Sequence, residues 1–276
     1  LVLGKAPISV SGDVESTQIE GIPPSDINGL YGGTDPNDNS GVMRYISIRH
    51  GGTLIGDGNE INGLTLGGVG SGTTIDHIEV VANFDDGIEW FGGNVNCSDL
   101  LVWHQGDDAF DIDQAFSGTL NNLAFLGNSS SDHALEIDGP EGSLNGAFTM
   151  TNATFIGYND GGTDGGEYAD FRDGAQGNLS NIYFTNFSES SDVELDDDNS
   201  SNNYKNGILN FNSAWEFNTD HLSGGNMDVV DIFVDRSSAG DAFSDLSFSS
   251  NVSSSTVGAD LSQFAGWTLG DAIGAL

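Results

Sequence analysis

Basic residues are scarce in this chain. Its 276 residues include only six lysines and arginines against 42 aspartates and glutamates, which gives a formal net charge of −36 at pH 7. A chain of this charge repels phosphate groups and anionic lipid headgroups, so nucleic acids and anionic membrane surfaces are excluded as partners. Salt limits such repulsion to about 8 Å at physiological ionic strength. The composition therefore favours an extracellular or cell-surface protein in a salty medium.

Cysteine, proline and long apolar runs are also rare. The single cysteine, Cys97, excludes an internal disulfide framework. No run of 18 apolar residues is present, which argues against a transmembrane helix and membrane insertion. The chain has 40 glycines, five prolines and no sustained apolar repeat at helical spacing, so helix should be a minor component.

An acidic strand motif recurs along the middle of the chain. Each copy alternates apolar, acidic and apolar residues, which is the period of a half-buried strand. The copies start 24, 22, 25, 34 and 24 residues apart, at Leu64, Ile88, Phe110, Leu135, Ala169 and Val193. Repeats of this length with one strand in register per repeat indicate a solenoid.

A second series of strands lies between these copies. Its members begin at Tyr45, His77, Asp99, Asn122, Asn152 and Asn181, and corners rich in Gly, Asn, Asp and Ser join the two series. We therefore predict an all-β, right-handed parallel β-helix with a single domain over 1–276. It should have an irregular N-terminal coil over 1–40, regular coils over 41–210 and a less regular cap over 211–276. The alternative fold is a β-sandwich of many short strands.

The register of the repeats predicts two inward apolar columns. They consist of Leu64, Ile88, Phe110, Leu135, Ala169 and Val193, and of Leu66, Trp90, Ile112, Ile137, Phe171 and Leu195. Because the chain opens directly on a strand-like segment, whose edge would be unpaired, we also expect further residues upstream.

The acidic residues between these columns should form two outward ladders. One contains Glu89, Asp111, Glu136, Asp170 and Glu194, and the other contains Asp113, Asp138 and Asp196, interrupted by Arg172. Charges one strand spacing apart repel by about 1 kcal/mol in water and by about 3 to 4 kcal/mol at an effective dielectric constant near 20. Bound Ca²⁺ would offset this repulsion, because it takes six to eight oxygen ligands in irregular geometry. The alternative is that the carboxylates extend into solvent, where salt screens them and some are protonated.

Two Asp-rich loops are weaker candidates for cation binding. Residues 35–41 have oxygen-bearing side chains at positions one, three and five of a calcium loop, but lack the later glycine and glutamate of an EF-hand. Residues 160–167 combine acidic residues with four glycines. Either loop could equally be an ordinary turn.

The corners of successive repeats carry a further pattern of acidic residues. They read Asn83-Phe-Asp-Asp-Gly87, Gln105-Gly-Asp-Asp108, Asp132-His133 and Phe171-Arg172. This layout resembles that of polygalacturonase-type glycoside hydrolases, which are also right-handed β-helices.

The resemblance implies roles for five residues if the chain is an enzyme. Asp108 would protonate the leaving oxygen, Asp86 and Asp107 would activate water, and His133 would tune the acid. Such chemistry needs two carboxyl groups with pKa values shifted in opposite directions. Arg172 matches the family's substrate-binding arginine, but Asp173 and Gly174 stand where the following lysine should be.

Longer motifs point to a second group of proteins. The motifs are the runs 1–8, 29–33, 45–52, 58–68, 85–93 and 133–139, most of which contain paired glycines or a strand followed by glycine. Together they resemble secreted β-helix proteins of marine Bacteroidota, which are often exported by the type IX route. The resemblance implies an extracellular location and a fold, but no reaction.

The sequence therefore leaves three functions open. The first is a structural or adhesive surface protein, stiffened by Ca²⁺ and associating with itself into a fibre or layer. The second is a carbohydrate-active enzyme, either a hydrolase or a lyase. The third is non-catalytic binding of surface polysaccharide through exposed aromatic residues such as Phe91, Trp103 and Tyr158.

Overall fold

Strands dominate the structure. A computed structural model describes residues 1–53, 61–160 and 166–276 of the chain. In chain order the strands are β1 (Val2–Leu3), β2 (Thr17–Gln18), β3 (Leu30–Tyr31), β4 (Val42–Arg49), β5 (Leu64–Gly67), β6 (Thr74–Val81), β7 (Ile88–Phe91), β8 (Cys97–Trp103), β9 (Phe110–Asp113), β10 (Thr119–Leu126), β11 (Leu135–Asp138), β12 (Phe148–Ile156), β13 (Ala169–Arg172), β14 (Gly177–Thr185), β15 (Val193–Leu195), β16 (Leu209–Phe211), β17 (Trp215–Asn218), β18 (Phe233–Asp235) and β19 (Ser249–Asn251).

Apart from β2 and β3, which pair with each other antiparallel, the strands form two long sheets in which all neighbours are parallel. Sheet 1 has the order β1-β5-β7-β9-β11-β13-β15-β18, and sheet 2 has the order β4-β6-β8-β10-β12-β14-β17-β19, with β16 also beside β14. From β4 to β15 the chain alternates between the sheets, so that each coil adds one strand to each. This is a parallel β-helix, and the predicted fold class is confirmed. The sandwich alternative is wrong, because its sheets would be largely antiparallel.

Both predicted inward columns are present. Leu64, Ile88 and Phe110 are neighbours across β5, β7 and β9, and the column continues through the later strands of sheet 1. The side chains of both columns are at most 2 % exposed. Apolar side chains stacked about 4.8 Å apart thus fill the interior along its length.

The strands of sheet 2 bend in the middle. A residue in the left-handed region, with φ between 54° and 64°, interrupts each of six strands, at Tyr45, His77, Asp99, Asn122, Asn152 and Asn181. Asparagine adopts this conformation more readily than most residues. Its side chains also link coils here, since Asn122 Nδ2 donates to Asp99 Oδ1 at 2.7 Å and Asn181 Nδ2 donates to Asn152 Oδ1 at 3.2 Å.

Because of this bend each coil has three faces. The sequence predicted only the half of sheet 2 that follows the bend. The half before it adds a further inward column, which contains Met43, Ile75, Cys97, Leu120, Met150, Leu179 and Phe211. Cys97 is a free, buried thiol in this column. It serves as a small apolar side chain.

An N-terminal segment, residues 4–31, runs along one edge of sheet 1. Its backbone bonds to successive coils, with Gly4 N donating to Gly67 O at 2.8 Å and Ser9 N donating to Gln114 O at 3.2 Å. The Tyr31 hydroxyl donates to Gln114 Oε1 at 2.9 Å. The segment therefore borders the outward face of sheet 1 along one side.

A C-terminal strap, residues 256–276, runs back across the part of sheet 2 that follows the bend. It begins where Thr256 N donates to Glu216 Oε2 at 2.6 Å on β17 and reaches Glu79 on β6, which accepts from Gly270 N at 3.0 Å. Between them, the buried Phe264 packs with Leu101 and its neighbours. The strap thus connects the two ends of the stack.

The described helices are short and peripheral. They are α1 (Asp198–Lys205), α2 (Val229–Ile232) and α3 (Leu269–Ile273), with single 3₁₀ turns at Ile27–Gly29 and Leu261–Phe264. In the part of the chain that the structure describes, none has the length and apolarity needed to cross a bilayer.

The strap should contribute to the stability of the whole coil stack. Phe264 is fully buried against sheet 2, so we expect Phe264→Ala to lower the free energy of unfolding by about 3 to 5 kcal/mol. Ile273→Ala is a control in the same strap, because Ile273 is 61 % exposed. Urea titration followed by circular dichroism measures both. Equal, small effects of the two variants would show that the strap adds little to stability.

Candidate functional site

The residues of the first acidic ladder form one continuous row on the outward face of sheet 1. Glu89, Asp111, Glu136, Asp170 and Glu194 are paired in register from β7 to β15. In the second ladder, Asp138 is paired with Arg172, Asp113 lies one coil before Asp138, and Asp196 lies one coil after Arg172. The geometry on which the calcium prediction depends is therefore present.

A cleft of about 510 Å³ opens over the first half of this face. It lies between the coils and the N-terminal segment, which contributes one side chain. Its lining residues are almost all acidic or amide-bearing: Glu20, Asn62, Asp85, Asp86, Glu89, Asp107, Asp108, Asp111, Glu136 and Arg172. Most of the residues predicted from the sequence as metal ligands or catalytic groups in these coils thus meet in one cavity.

Three carboxylates at the base of the cleft converge. Oxygens of Asp86, Glu89 and Asp111 lie within 4.8 Å of one another. Asp86 and Glu89 are only 8 % and 5 % exposed. Burial raises the pKa of all three carboxyl groups well above the usual range, and repulsion from neighbouring carboxylates raises it further. The three therefore need protons or a cation to be stable in this position.

The same three groups match the needs of a calcium ion. Ca²⁺ takes oxygen ligands at about 2.3 to 2.6 Å, so oxygens roughly 3 to 5 Å apart can share one ion. Asp111 Oδ1 is buried and accepts no hydrogen bond from the described residues, and the same holds for Oδ1 of Asn62. Asn62 also donates its amide to Glu89. Unsatisfied buried oxygens beside a carboxylate cluster are what an absent cation would leave.

A second carboxylate group lies at the mouth of the cleft. Oxygens of Asp85, Asp86 and Asp107 lie within 4.8 Å of one another, and the Asp107 side chain is exposed. Partial burial and the charge of Asp108 raise the pKa of Asp107 to about 6. At neutral pH Asp107 is therefore mostly ionised, but close enough to its pKa to exchange protons.

His133 is held by Asp108. Asp108 Oδ1 accepts from the backbone N of His133 at 2.7 Å and lies 2.8 Å from its Nδ1. Burial would lower the pKa of His133, but the hydrogen bond and charge of Asp108 outweigh it and raise this pKa to about 9. His133 is thus an imidazolium at neutral pH. Asp108 is 4 % exposed.

Arginines occupy the second half of the acidic face. Arg172 Nε lies 2.7 Å from Asp138 Oδ1, and its NH2 group pairs with Glu136. Arg236 lies 3.2 Å from Asp192 and also pairs with Glu194. The arginines therefore neutralise part of the carboxylate charge in these coils. The need for a further cation falls mainly on the half that contains Asp86, Glu89 and Asp111.

The predicted metal ligands thus have different surroundings. Glu89 and Asp111 lie in the convergent cluster, whereas Glu136, Asp138 and Glu194 are paired with arginines. Asp170 lies 4.0 Å from Arg172, and Asp196 is exposed. Asp113 is half-buried, and burial raises its pKa to about 7. Calcium binding by this set remains a prediction.

Two residues that line the cleft, Asn62 and Glu20, were not predicted from the sequence. Asn62 occupies the place of Asp86 in the first copy of the repeat, so the alignment of the copies could have identified it. Glu20 belongs to the N-terminal segment, and no repeat pattern connects it with the ladder.

Asp86 and Asp108 also bond to the backbone of the next coil, since Asp86 Oδ1 accepts from Asp108 N at 3.0 Å. They therefore help to hold the corners in register.

Of the two Asp-rich loops, the first is a turn. Asp35 Oδ1 accepts from Asn37 N at 3.0 Å, and Asp38 Oδ2 accepts from the Ser40 hydroxyl at 2.9 Å. These bonds describe Asx-type turns. Most of the second loop, 161–165, lies outside the described residues.

The aromatic residues predicted to be exposed are mostly covered. Phe91 is 6 % exposed because it packs against Tyr31 of the N-terminal segment. Trp103 is 5 % exposed because it lies in the cluster under the strap, with its Nε1 donating to Glu79 at 3.2 Å. The expectation of exposed Phe91 and Trp103 was wrong, since segments distant in sequence cover them. Tyr158 is half-buried.

Comparison with known families gives one match. The profile of a family described as a pectate-lyase like beta helix domain matches residues 1–268. Searches of curated proteins and of solved structures gave no significant match. The family match covers almost the whole chain, including every residue of the acidic cleft.

Without calcium, the protein should become less stable as pH rises from 4 to 8. Burial raises the pKa of Asp107 and Asp170 to about 6 and of Asp113 and Asp192 to about 7. Unfolded aspartates titrate near about 3.9, so the folded chain binds more protons between these values and the free energy of unfolding falls with pH. The raised pKa of His133 acts in the same direction, because its stabilisation is lost as pH rises through about 9.

Urea titration in chelator at pH 5 and pH 8 measures this change. Added calcium should stabilise the protein much more at pH 8 than at pH 5, because protons then no longer compete for the carboxylates. A stability in chelator that rises between the two pH values would contradict the burial of these carboxyl groups.

Proposed function

The chain belongs to the pectate-lyase-like β-helix domain family, and from this membership we propose that it is a calcium-dependent enzyme that cleaves acidic polysaccharides in the acidic cleft. One observation carries the proposal. Buried oxygens of Asp86, Glu89 and Asp111 converge within 4.8 Å at the base of an open cavity. A purely structural surface has no need to bury three carboxylates together beneath a cleft.

Calcium also accounts for the class of substrate. Three side chains would supply only part of the six to eight oxygens that Ca²⁺ takes, so the ion would accept further oxygens from water or substrate. When bound, Ca²⁺ would neutralise the cluster and attract the carboxylate of a uronic acid, which a cleft of negative charge alone repels. Arg172 lines the same cavity and offers a guanidinium to a second sugar carboxylate.

The cleft residues suit cleavage by β-elimination. In this reaction a base removes the proton from the carbon beside the uronate carboxylate. The electron pair of the broken C–H bond forms a carbon–carbon double bond with the neighbouring ring carbon. The glycosidic C–O bond breaks, and the leaving oxygen takes a proton from an acid. Asp107 is the base, because it is exposed in the cleft and its pKa is about 6. His133 lies beside the cleft, because its Nδ1 is 2.8 Å from Asp108 and 3.7 Å from Glu136, which both line the cavity. It is the acid, because its pKa is about 9 and it is protonated at neutral pH.

Hydrolysis fits the geometry less well. It would need Asp108 to protonate the leaving oxygen. Asp108 is almost fully buried, and its Oδ1 is already engaged by both the backbone N and the Nδ1 of His133. A buried carboxylate held in this way positions the imidazole, as in other Asp–His pairs, and does not reach the substrate itself.

An extracellular location is part of this proposal. The net charge of −36 supports it. Membership of the pectate-lyase-like β-helix family also supports it, because acidic polysaccharides lie outside cells. The finer assignment to secreted proteins of marine Bacteroidota rests on the glycine-containing motifs of the sequence.

The proposal predicts a calcium-dependent rise in ultraviolet absorbance from unsaturated sugar ends. The protein is incubated with polygalacturonate and alginate in calcium, and then in chelator, which should abolish the signal. Asp107→Asn should lower the rate by about 10²- to 10⁴-fold, the range for loss of a general base. Asp111→Asn should weaken calcium binding, measured by calorimetry. The exposed Asp220→Asn is the matched control and should change neither.

Two results would contradict this assignment. Release of reducing ends without ultraviolet absorbance would assign hydrolysis in place of elimination. No product from any acidic polysaccharide, in a protein that binds calcium, would remove the enzymatic role and leave calcium as a structural ligand.

A second candidate function is a structural or adhesive component that assembles through its end. The observation in its favour is the outer edge of β4, which has no partner strand among the described residues. Val42 and Tyr45 on this strand are 69 % and 57 % exposed. Unpaired strand edges with exposed apolar residues readily pair with another chain.

This second function predicts that the protein self-associates in calcium. Sedimentation velocity at increasing protein concentration should show dimers or longer species, and Val42→Lys with Tyr45→Lys should return the protein to monomer. Leu144→Lys places a lysine on an exposed residue between β11 and β12, in the middle of the coil stack, and should leave association intact. A monomer at all concentrations would exclude assembly through β4.

A further inference from the structure

One face of the β-helix carries no charge over most of its length. It is formed by the outward side chains of sheet 2 before the bend, in two columns that follow the axis. We call it the uncharged track, and it consists of Asn96, Ser98, Thr119, Asn121, Thr149, Thr151, Asn178, Ser180, Asn210 and Asn212. In a chain with 42 acidic residues, a face made only of hydroxyl and amide groups is a departure from the composition.

Charges appear only at the two ends of this track. At the first end Arg44 and Asp76 pair with each other at 2.9 Å. At the other end Lys205 and Asp245 line a cleft, and Lys205 Nζ donates to Ala239 O at 2.8 Å. The intervening coils therefore present a neutral surface to solvent.

The side chains of the track are exposed or half-buried, and several are held in place by hydrogen bonds. Thr119 and Thr149 are exposed, and their partners in the second column are half-buried. Neighbouring coils are connected by side-chain bonds, in which Ser180 Oγ donates to Thr151 Oγ1 at 3.2 Å and Asn210 Nδ2 donates to Asn178 Oδ1 at 3.1 Å. A surface ordered in this way loses little side-chain entropy when it binds a ligand.

The track also contains two cavities. One of about 460 Å³ lies at the first end between Thr74, Asn96 and Thr119. The other, of about 480 Å³, lies at the far end and adds Tyr204, Phe211 and Phe248 to Asn210 and Asn212. Aromatic rings beside amides can stack on the apolar face of a sugar while its hydroxyls are hydrogen-bonded. The C-terminal strap covers the part of sheet 2 after the bend, whereas it leaves the part before the bend, where the track lies, open to solvent.

We propose that the uncharged track binds a neutral polysaccharide chain laid along the axis of the β-helix. Successive coils repeat their donors and acceptors about every 4.8 Å, close to the rise of one sugar unit in an extended polysaccharide. A polyanion finds no cationic row here and is repelled by the net charge. A polycation would bind the acidic ladder on sheet 1 instead. A neutral, hydroxyl-rich polymer is the partner whose chemistry matches this face. The inference is independent of the reaction in the acidic cleft.

Affinity electrophoresis tests the proposal. Native gels contain chelator and either a neutral polysaccharide (β-glucan, xyloglucan or agarose) or polygalacturonate, so that the acidic cleft holds no calcium. We expect at least one neutral polymer to retard the protein and polygalacturonate to leave its mobility unchanged. Thr149→Glu should weaken the retardation about tenfold in Kd, because it places a charge at the centre of the neutral row. Thr34→Glu, at an exposed threonine that follows the N-terminal segment, is the matched control.

Folding of the variants is checked separately. Thermal melting should place Thr149→Glu and Thr34→Glu close to the unmodified protein. Thr149→Val, which removes the hydroxyl without adding charge, should give an intermediate loss of retardation. Three results would overturn the proposal. They are no retardation by any neutral polymer, equal retardation of Thr149→Glu and the control, or a mobility that depends on protein concentration alone, which would assign the face to contact between two copies.

Discussion

In-register stacking of equivalent residues governs the structure. Because every coil places the same position directly above the last, a residue type that recurs in the repeat becomes a continuous column. For apolar residues this gives a dense core, in which stacked leucine, isoleucine and phenylalanine side chains are almost completely buried. For acidic residues the same geometry brings like charges to about one strand spacing. The fold therefore creates its own electrostatic problem wherever the repeat is acidic.

The chain resolves this problem differently in its two halves. In the later coils Arg172 and Arg236 lie between the carboxylates and pair with them. In the earlier coils Asp86, Glu89 and Asp111 form no ion pair with an arginine or lysine of the described residues, although Arg172 lines the same cleft. Burial keeps the pKa of all three carboxyl groups high. Protons can stabilise this cluster at low pH, and a divalent cation can do so at neutral pH. The site is therefore the part of the ladder that the chain leaves uncompensated.

Much of sheet 1 could be predicted from the sequence, because apolar and acidic residues alternate there with a clear period. The register followed from aligning the copies, and it correctly placed Asp138 beside Arg172. Sheet 2 was predicted less completely. The residues at its bends include Tyr45, His77 and Asp99 as well as asparagines, so the sequence offers no common signal for the left-handed conformation.

Contacts between distant segments could not be predicted. Phe91 and Trp103 look like exposed strand residues in the repeat, but they are covered by the N-terminal segment and by the strap region, which have no repeat pattern. Arg236 pairs with Asp192 across an irregular stretch in which the repeat is lost. The repeat thus determined what each coil contributes, whereas the covering segments determined which of those residues reach solvent.

The C-terminal strap has a consequence for how the protein can vary in evolution. Repeat proteins commonly gain or lose whole units, because each unit contacts only its neighbours. Here the strap begins on Glu216 and ends beside Glu79, so its length must match the height of the stack between them. One additional coil would increase that height by about 4.8 Å, more than one extended residue spans. Duplication of a single coil would therefore move Glu216 and Glu79 too far apart for the strap to reach both. Loops can lengthen without this effect, so we expect loop length to vary while the number of coils stays the same.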